Sequence, residues 1–177
     1  EEDKEIVLKN GAKYDKKGGY FYVPKDVFIT KFNKYIPLTV ELVPSSNWMK
    51  NVRSELSEDW GRIKRISYKK AGYRCEICGG VGDKHPVECH EIWDYDIDNK
   101  VQKLIGLISL CPTCHKVKHS GLAIVNGEED IIVNQLMLIN DWQKEDVYKY
   151  LNEAFAIYDV LSMINWNLDL SFLDNYS

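Results

Sequence analysis

Two C-x-x-C pairs, Cys75-Glu76-Ile77-Cys78 and Cys111-Pro112-Thr113-Cys114, bracket residues 79–110 and constrain the fold more than any other feature of the chain. A C-x-x-C turn aims two thiolates at one point, and the glycines after the first pair allow the tight backbone that such an approach needs. Two turns of this kind complete a tetrahedral sulfur site, which zinc fills without redox chemistry. The expectation is a structural Zn2+ held by Cys75, Cys78, Cys111 and Cys114, joining the two ends of one module. The interval exceeds that of a simple finger and accommodates an inserted hairpin. Cys89, the fifth cysteine, lies outside the pattern and reads as a buried strand residue. Paired cysteines with one left over favour metal binding in a reducing compartment over a disulfide framework, so the expected location is cytoplasmic.

The remaining bounds are broad. A chain of 177 residues suits one domain, or one domain with a small appendage. With 45% hydrophobic and 28% charged residues it can bury a sizeable core and is not a disordered sequence. It contains no apolar run long enough for a transmembrane helix, so no membrane association is expected. The acidic start, Glu1-Glu2-Asp3-Lys4, lacks an apolar stretch behind it and does not read as a signal peptide. A net charge of −4 disfavours general nucleic-acid binding, which makes local charge decisive. Between residues 62 and 74 lie Arg62, Lys64, Arg65, Lys69, Lys70 and Arg74, with no acidic residue among them. Two readings fit this stretch: contact with nucleic-acid phosphates, or a solvated helix face with cations near its C-terminal dipole.

Residues 1–46 read as β-rich. Ile6-Val7-Leu8 and Gly19 to Val23 are short strand-like runs separated by the turn signal Lys16-Lys17-Gly18-Gly19, and Leu38 to Val43 is a third run. Residues 57–71 read as a helix with Ser57 as N-cap, Gly72 as stop, and Trp60, Ile63, Ile66 and Ser67 on one face. Residues 57–121 then form the zinc-stabilised module. Residues 122–177 read as a helical extension packing on it. One helix has a face of Ile131, Ile132, Gln135, Leu136 and Ile139; a longer one carries Val147, Tyr150, Leu151, Ala154, Tyr158 and Leu161; Trp166 to Leu170 closes as an extended segment.

Between the cysteine pairs, Val87 to Trp93 and Leu104 to Leu110 read as two strands with an acidic loop from Asp94 to Asn99. A short helix follows from Pro112 to His119, with proline in its first turn. His115 and His119, four residues apart, share one helix face and can bind a common ion. His90 on the first strand can supply a third ligand. His85, beside Pro86, reads as a loop residue.

Over about Trp60 to Gly121 the sequence resembles the HNH endonucleases, the ββα-metal nucleases. The resemblance rests on a helix leading into Cys75-x-x-Cys78, on Glu88-Cys89-His90-Glu91-Ile92, and on Leu107-Ile108-Ser109-Leu110-Cys111-Pro112-Thr113-Cys114-His115-x-x-x-His119. It implies an α+β fold: a treble-clef-like ββα-metal module with a four-cysteine zinc site, flanked by the β-rich N-terminal segment and the helical extension. It implies hydrolysis of phosphodiester bonds in nucleic acid, with DNA the expected substrate and a divalent catalytic ion such as Mg2+ or Mn2+. By position, His90, His115 and His119 become ligands of that ion, and the general-base position falls on Glu91. The position of the bracing asparagine falls on Gly106. A carboxylate base needs a raised pKa to work near neutrality, since glutamate ordinarily titrates near 4.3. Alternatively His90 is the base, and Glu88, Asp94 or Asp96 completes the metal site. The other functional reading is an inactive zinc scaffold that binds DNA or a protein partner.

Overall fold

Alternation along Glu88 to Ile92 offers a strand with two usable faces, and both are buried in the fold. The computed structural model describes residues 13–15, 20–22, 37–49, 52–55 and 59–176. Strands β1 (Lys13–Asp15) and β2 (Tyr20–Tyr22) pair antiparallel as a small hairpin. The expected run Ile6-Val7-Leu8, the turn at Lys16 to Gly19 and the cap at Ser57 lie outside the described residues. A short helix, α1 (Val52–Glu55), precedes the module, and α2 (Trp60–Lys70) opens it. Then come β3 (Glu88–Asp96), β4 (Val101–Leu110), α3 (Pro112–Lys118), α4 (Ser120–Val125), α5 (Glu129–Asn140), α6 (Lys144–Ser162) and β5 (Asn167–Asp169).

The result is an α+β fold with a three-stranded mixed sheet in the order β3-β4-β5. β3 and β4 are antiparallel, β4 and β5 parallel, so β4 is central and β3 has a free edge among the described residues. The register runs from Glu88↔Leu110 to Ile92↔Gly106 and then shifts to Trp93↔Leu104, leaving Ile105 as an extra residue in β4. That bulge matters because side chains alternate strictly along a strand. It returns fully buried Leu104 to the face of Leu107, while Ile105 is exposed. Asp94 to Asp96, expected in the loop, extend β3 instead, with Asp94 opposite Lys103. Opposite charges directly across a ladder favour this pairing. The turn proper is residues 97–100, with Lys100 at φ 54° and Asn99 N–H donating to Asp96 Oδ1 (3.0 Å).

Each sheet face carries its own core. One holds Leu110, Val117, Ile132, Leu136, Val147 and Leu151 around the four cysteines of the two pairs. The other holds Val52, Trp60, Ile63, Cys89, Leu104 and Leu173. Burial of Trp60, Ile63 and Ser67 sets the inward face of α2, and Gly72 (φ 58°) ends the helix region. On α5 the inward face is Ile132, Val133 and Leu136, turned from the expected one, and Ile131 is exposed. Helix α4 runs through Gly121, the end of the expected module. A Cβ at Gly121 would meet Leu42 at 3.6 Å and Phe155 at 4.0 Å, ordinary contact distances, so the strap and α6 pack closely against this turn. Helix α6 begins with a reciprocal capping box between Gln143 and Asp146.

The third expected strand, Leu38 to Val43, is extended but joins no sheet among the described residues. Its backbone bonds go elsewhere. Leu38 N–H donates to Asn140 Oδ1 and Leu38 O accepts from Asn140 Nδ2, both at 2.8 Å. Val40 N–H donates to Tyr150 Oη (2.8 Å), and Glu41 N–H to the Lys118 carbonyl (2.9 Å). The segment is therefore a strap across α3, α5 and α6, pinned by fully buried Leu38. Leu38→Ala should cost about 2–5 kcal/mol through lost transfer energy and a residual cavity. Asn140→Ala should cost about 1–3 kcal/mol by stranding both Leu38 backbone groups. Urea denaturation of the zinc-loaded protein checks both values, and unchanged midpoints would mean that the strap is not seated in this way.

Candidate metal centres

The first pair sits in a tight turn. Cys75 N–H donates to the Gly80 carbonyl (3.0 Å), Gly79 N–H to the Cys75 carbonyl (2.9 Å), and Gly79 takes φ 69°. This curls the amides onto sulfur: Cys78 N–H reaches Cys75 Sγ at 3.5 Å and Gly80 N–H reaches Cys78 Sγ at 3.3 Å. The second pair opens α3, with Pro112 in its first turn, so Cys111 and Cys114 lie one helical turn apart. Cys78 Sγ and Cys111 Sγ are 3.5 Å apart, and Gln135 Nε2 donates to Cys114 Sγ (3.2 Å).

All four cysteines are buried and their sulfurs lie within 4.8 Å of one another. Hydrogen bonding to Cys111 pushes the Cys75 and Cys114 thiols up, while bonds from Cys114 and the other two hold Cys111 low. Four buried sulfurs cannot all ionise without a cation. The all-sulfur donor set, the amide hydrogen bonds to sulfur and the burial fit a structural Zn2+.

A second cluster joins His90 of β3 with His115 and His119 at the end of α3, their ligand atoms again within 4.8 Å of one another. His115 Nε2 and His119 Nε2 are 3.2 Å apart. Two nitrogens bound at about 2.0–2.1 Å to one tetrahedral ion would be spaced by about 3.3 Å. His90 is buried, and its Nδ1 has no hydrogen-bond partner among the described residues. Each of two rings is held from behind by a carboxylate. Glu41 Oε2 lies 3.0 Å from His90 Nε2, and Glu88 Oε2 pairs with His115 Nδ1. Carboxylates in this role fix ring orientation and leave the opposite nitrogen for an ion. Burial, reinforced by the neighbouring imidazoles, lowers the pKa of His115 and pushes His119 down to about 4. Both lowered values favour the neutral form that ligates.

Glu41 has no counterpart in the sequence expectations. Its Oε1 accepts from Trp93 N–H (2.8 Å) and its Oε2 lies 3.6 Å from Lys118 Nζ. Burial works against ionisation of Glu41, but hydrogen bonding to His90 and the nearby charges hold its carboxyl below the usual range. The available signal was a lone carboxylate inside the apolar run Leu38 to Val43. Of the other carboxylates, Glu88 bridges His115 and the loop residue His85 (2.6 Å). Asp94 and Asp96 are exposed, and Asp96 caps the turn. Gly106 lies on the His90 side of the sheet, where a Cβ would meet Ile92 Cδ1 at 3.3 Å.

Strand alternation puts His90 and Glu91 on opposite faces of β3. A cavity of about 820 Å³ nevertheless has His115, His119, Glu41 and Glu91 all in its wall. Its β3 residues, Cys89, Glu91 and Trp93, share the face opposite His90, whereas His115 and His119 pack beside His90, so the cavity passes around the strand's free edge. Burial raises the Glu91 carboxyl above its ordinary range. None of the six basic residues is in the cavity wall among the described residues, although Lys64 lies close to two wall residues, Trp60 and Glu91. Arg62 pairs with Asp59 and reaches the Tyr176 carbonyl, Lys70 lies over the Tyr176 ring, and Arg74 donates to the Gly79 carbonyl (2.9 Å). Lys64 lies over the Trp60 ring, and Arg65 and Lys69 are exposed.

Compared with family models, curated proteins and solved structures, the chain matches none of them. No helix among the described residues is long and apolar enough to cross a membrane.

Binding and folding are coupled in sites of this kind, often through about 10 kcal/mol or more of apparent zinc affinity. Cys75→Ser and Cys114→Ser should each lose one equivalent of zinc and fall in solubility. Elemental analysis that finds undiminished zinc in both variants would remove the four-cysteine site.

Proposed function

We propose that the chain is a metal-dependent endonuclease of the HNH type, hydrolysing phosphodiester bonds in nucleic acid, with DNA as substrate. The observation that carries this reading is the three-histidine cluster, set on a ββα unit, backed by carboxylates and open to a cavity. In this reading the unit is a treble-clef-like module whose four-cysteine zinc is structural. His90, His115 and His119 would hold a divalent ion; of the expected Mg2+ and Mn2+, the three imidazoles fit Mn2+ better, because Mg2+ prefers oxygen ligands. When bound, that ion supplies Lewis-acid stabilisation of the phosphoryl group and the leaving oxygen. Glu91 takes a proton from water at the cavity wall, and its burial favours that role over the ordinary carboxylate. Glu41 holds the His90 ring, while Gly106, at the position that would brace the base, offers no side chain. Lys64, Arg65 and Lys69 on α2 contact backbone phosphates outside the cavity.

A second reading, an inactive module that binds DNA or a protein partner, draws support from Gly106 and from a cavity wall carrying Glu41 and Glu91 against Arg53. Plasmid nicking with magnesium or manganese, with and without chelator, separates the two. The nuclease reading expects metal-dependent nicking that His119→Ala lowers by roughly 100-fold or more while the cysteine-bound zinc remains. Absence of nicking under every metal condition would leave the binding module. Neutralising Lys64, Arg65 and Lys69 together should flatten the salt dependence of DNA binding by about one log–log unit for each phosphate no longer neutralised. An unchanged slope in a salt titration would make this face plain solvated surface.

A further inference from the structure

The cavity beside the histidines is shaped for something other than a phosphate backbone. Its wall includes the aromatic side chains Trp48, Trp60, Trp93, Phe155 and Tyr158. At about 820 Å³ it falls within the roughly 300–1,000 Å³ of small-ligand sites. Glu41 and Glu91 face it, against Arg53 among the strong cations of the wall, so the interior disfavours a phosphate but not a neutral ring. Gln102 adds an independent observation. It is fully buried and lies in the wall, and Asn47 Nδ2 donates to its Oε1 (2.7 Å). The other half of that amide, Gln102 Nε2, is buried and has no hydrogen-bond partner among the described residues. A buried donor without an acceptor is costly unless a ligand supplies one.

We propose that this cavity receives an unpaired base of single-stranded DNA, stacked on the aromatic wall and read by Gln102 Nε2 through a ring nitrogen or carbonyl. The inference rests on the nuclease reading and names the substrate form at the same site. A duplex keeps its base faces stacked on one another, so aromatic side chains reach them only when a base leaves the stack. With a base in the cavity, the adjoining phosphate would sit at His115 and His119 in the same wall, where an ion held by the histidines would offset the charge of Glu41 and Glu91.

The test uses the zinc-loaded full chain without magnesium or manganese. A fluorescein-labelled DNA strand of mixed sequence, about 12 nucleotides long to match single-strand site sizes, is titrated by anisotropy. The same strand is titrated again annealed to its complement. The strand should bind at least about tenfold more tightly than the duplex and quench tryptophan emission. Losing one stacked base corresponds to an affinity drop of roughly 5- to 150-fold, expected for Trp48→Ala. Gln102→Glu, which replaces the donor by an acceptor, should weaken the strand in the same range. Zinc content and circular dichroism verify both folds; Trp48 is 61% exposed, so its variant decides the matter if Gln102→Glu does not fold. Equal or tighter duplex binding, or undiminished strand binding by Trp48→Ala, overturns the proposal. Adding manganese then separates the two readings. A strand bound as expected but left uncut overturns the nuclease reading alone, and cutting of duplex without preference for strand overturns this proposal alone.

Discussion

The four-sulfur cluster is the constraint on which the site depends. It clamps the Cys75 turn to the first turn of α3, and thereby sets where that helix starts and how it is rotated. His115 follows Cys114 directly, and His119 lies one turn further along the same helix, so both imidazoles inherit their position from the sulfurs. The register of β3 against β4 supplies the third histidine, and the bulge at Ile105 lets the strand pair continue without exchanging its two cores. A helix of seven residues is too short to hold itself in water, so the clamp and its tertiary packing do that work.

The strap at residues 37–44 is the second determinant. It contributes no ladder, yet it delivers Glu41 to the back of His90. Lys118, itself buried, lies close to the same carboxylate and donates to Thr39 Oγ1 (2.9 Å), which couples the strap to the helix that carries the other two histidines. Removing one member of such a buried group leaves the others as uncompensated charge, and that is more damaging than the loss of an exposed pair.

Local spacing made much of this legible in the sequence. The cysteine pairs, the alternation around His90, the proline that opens α3 and the i, i+4 histidines each encode a short-range geometry, and the fold places these residues together. What sequence could not convey was long-range. The run Leu38 to Val43 announces extended backbone, because β-branched and apolar residues favour it, but propensity does not name the partner; here it was Asn140, Tyr150 and Lys118. Glu41 acts on a histidine far along the chain, and no spacing rule connects them. The relation between Glu91 and the histidines is long-range too: adjacent His90 and Glu91 lie on opposite faces of β3, and Glu91 shares a cavity with His115 and His119 only around an edge that the strand order reveals.

That edge has a consequence for the protein as a colloid. An outer strand with unpaired amides is a template onto which another chain can add, and folded proteins guard such edges with charge, bulges or covering segments. On β3 the guard is Glu41, whose carboxylate takes the Trp93 amide that an incoming strand would otherwise claim, and whose charge opposes the approach of an apolar strand. The side chain that steadies an imidazole on one oxygen thus closes the sheet to self-association with the other, and a chain that lost it would become prone to aggregate as well as poorer at holding its ion.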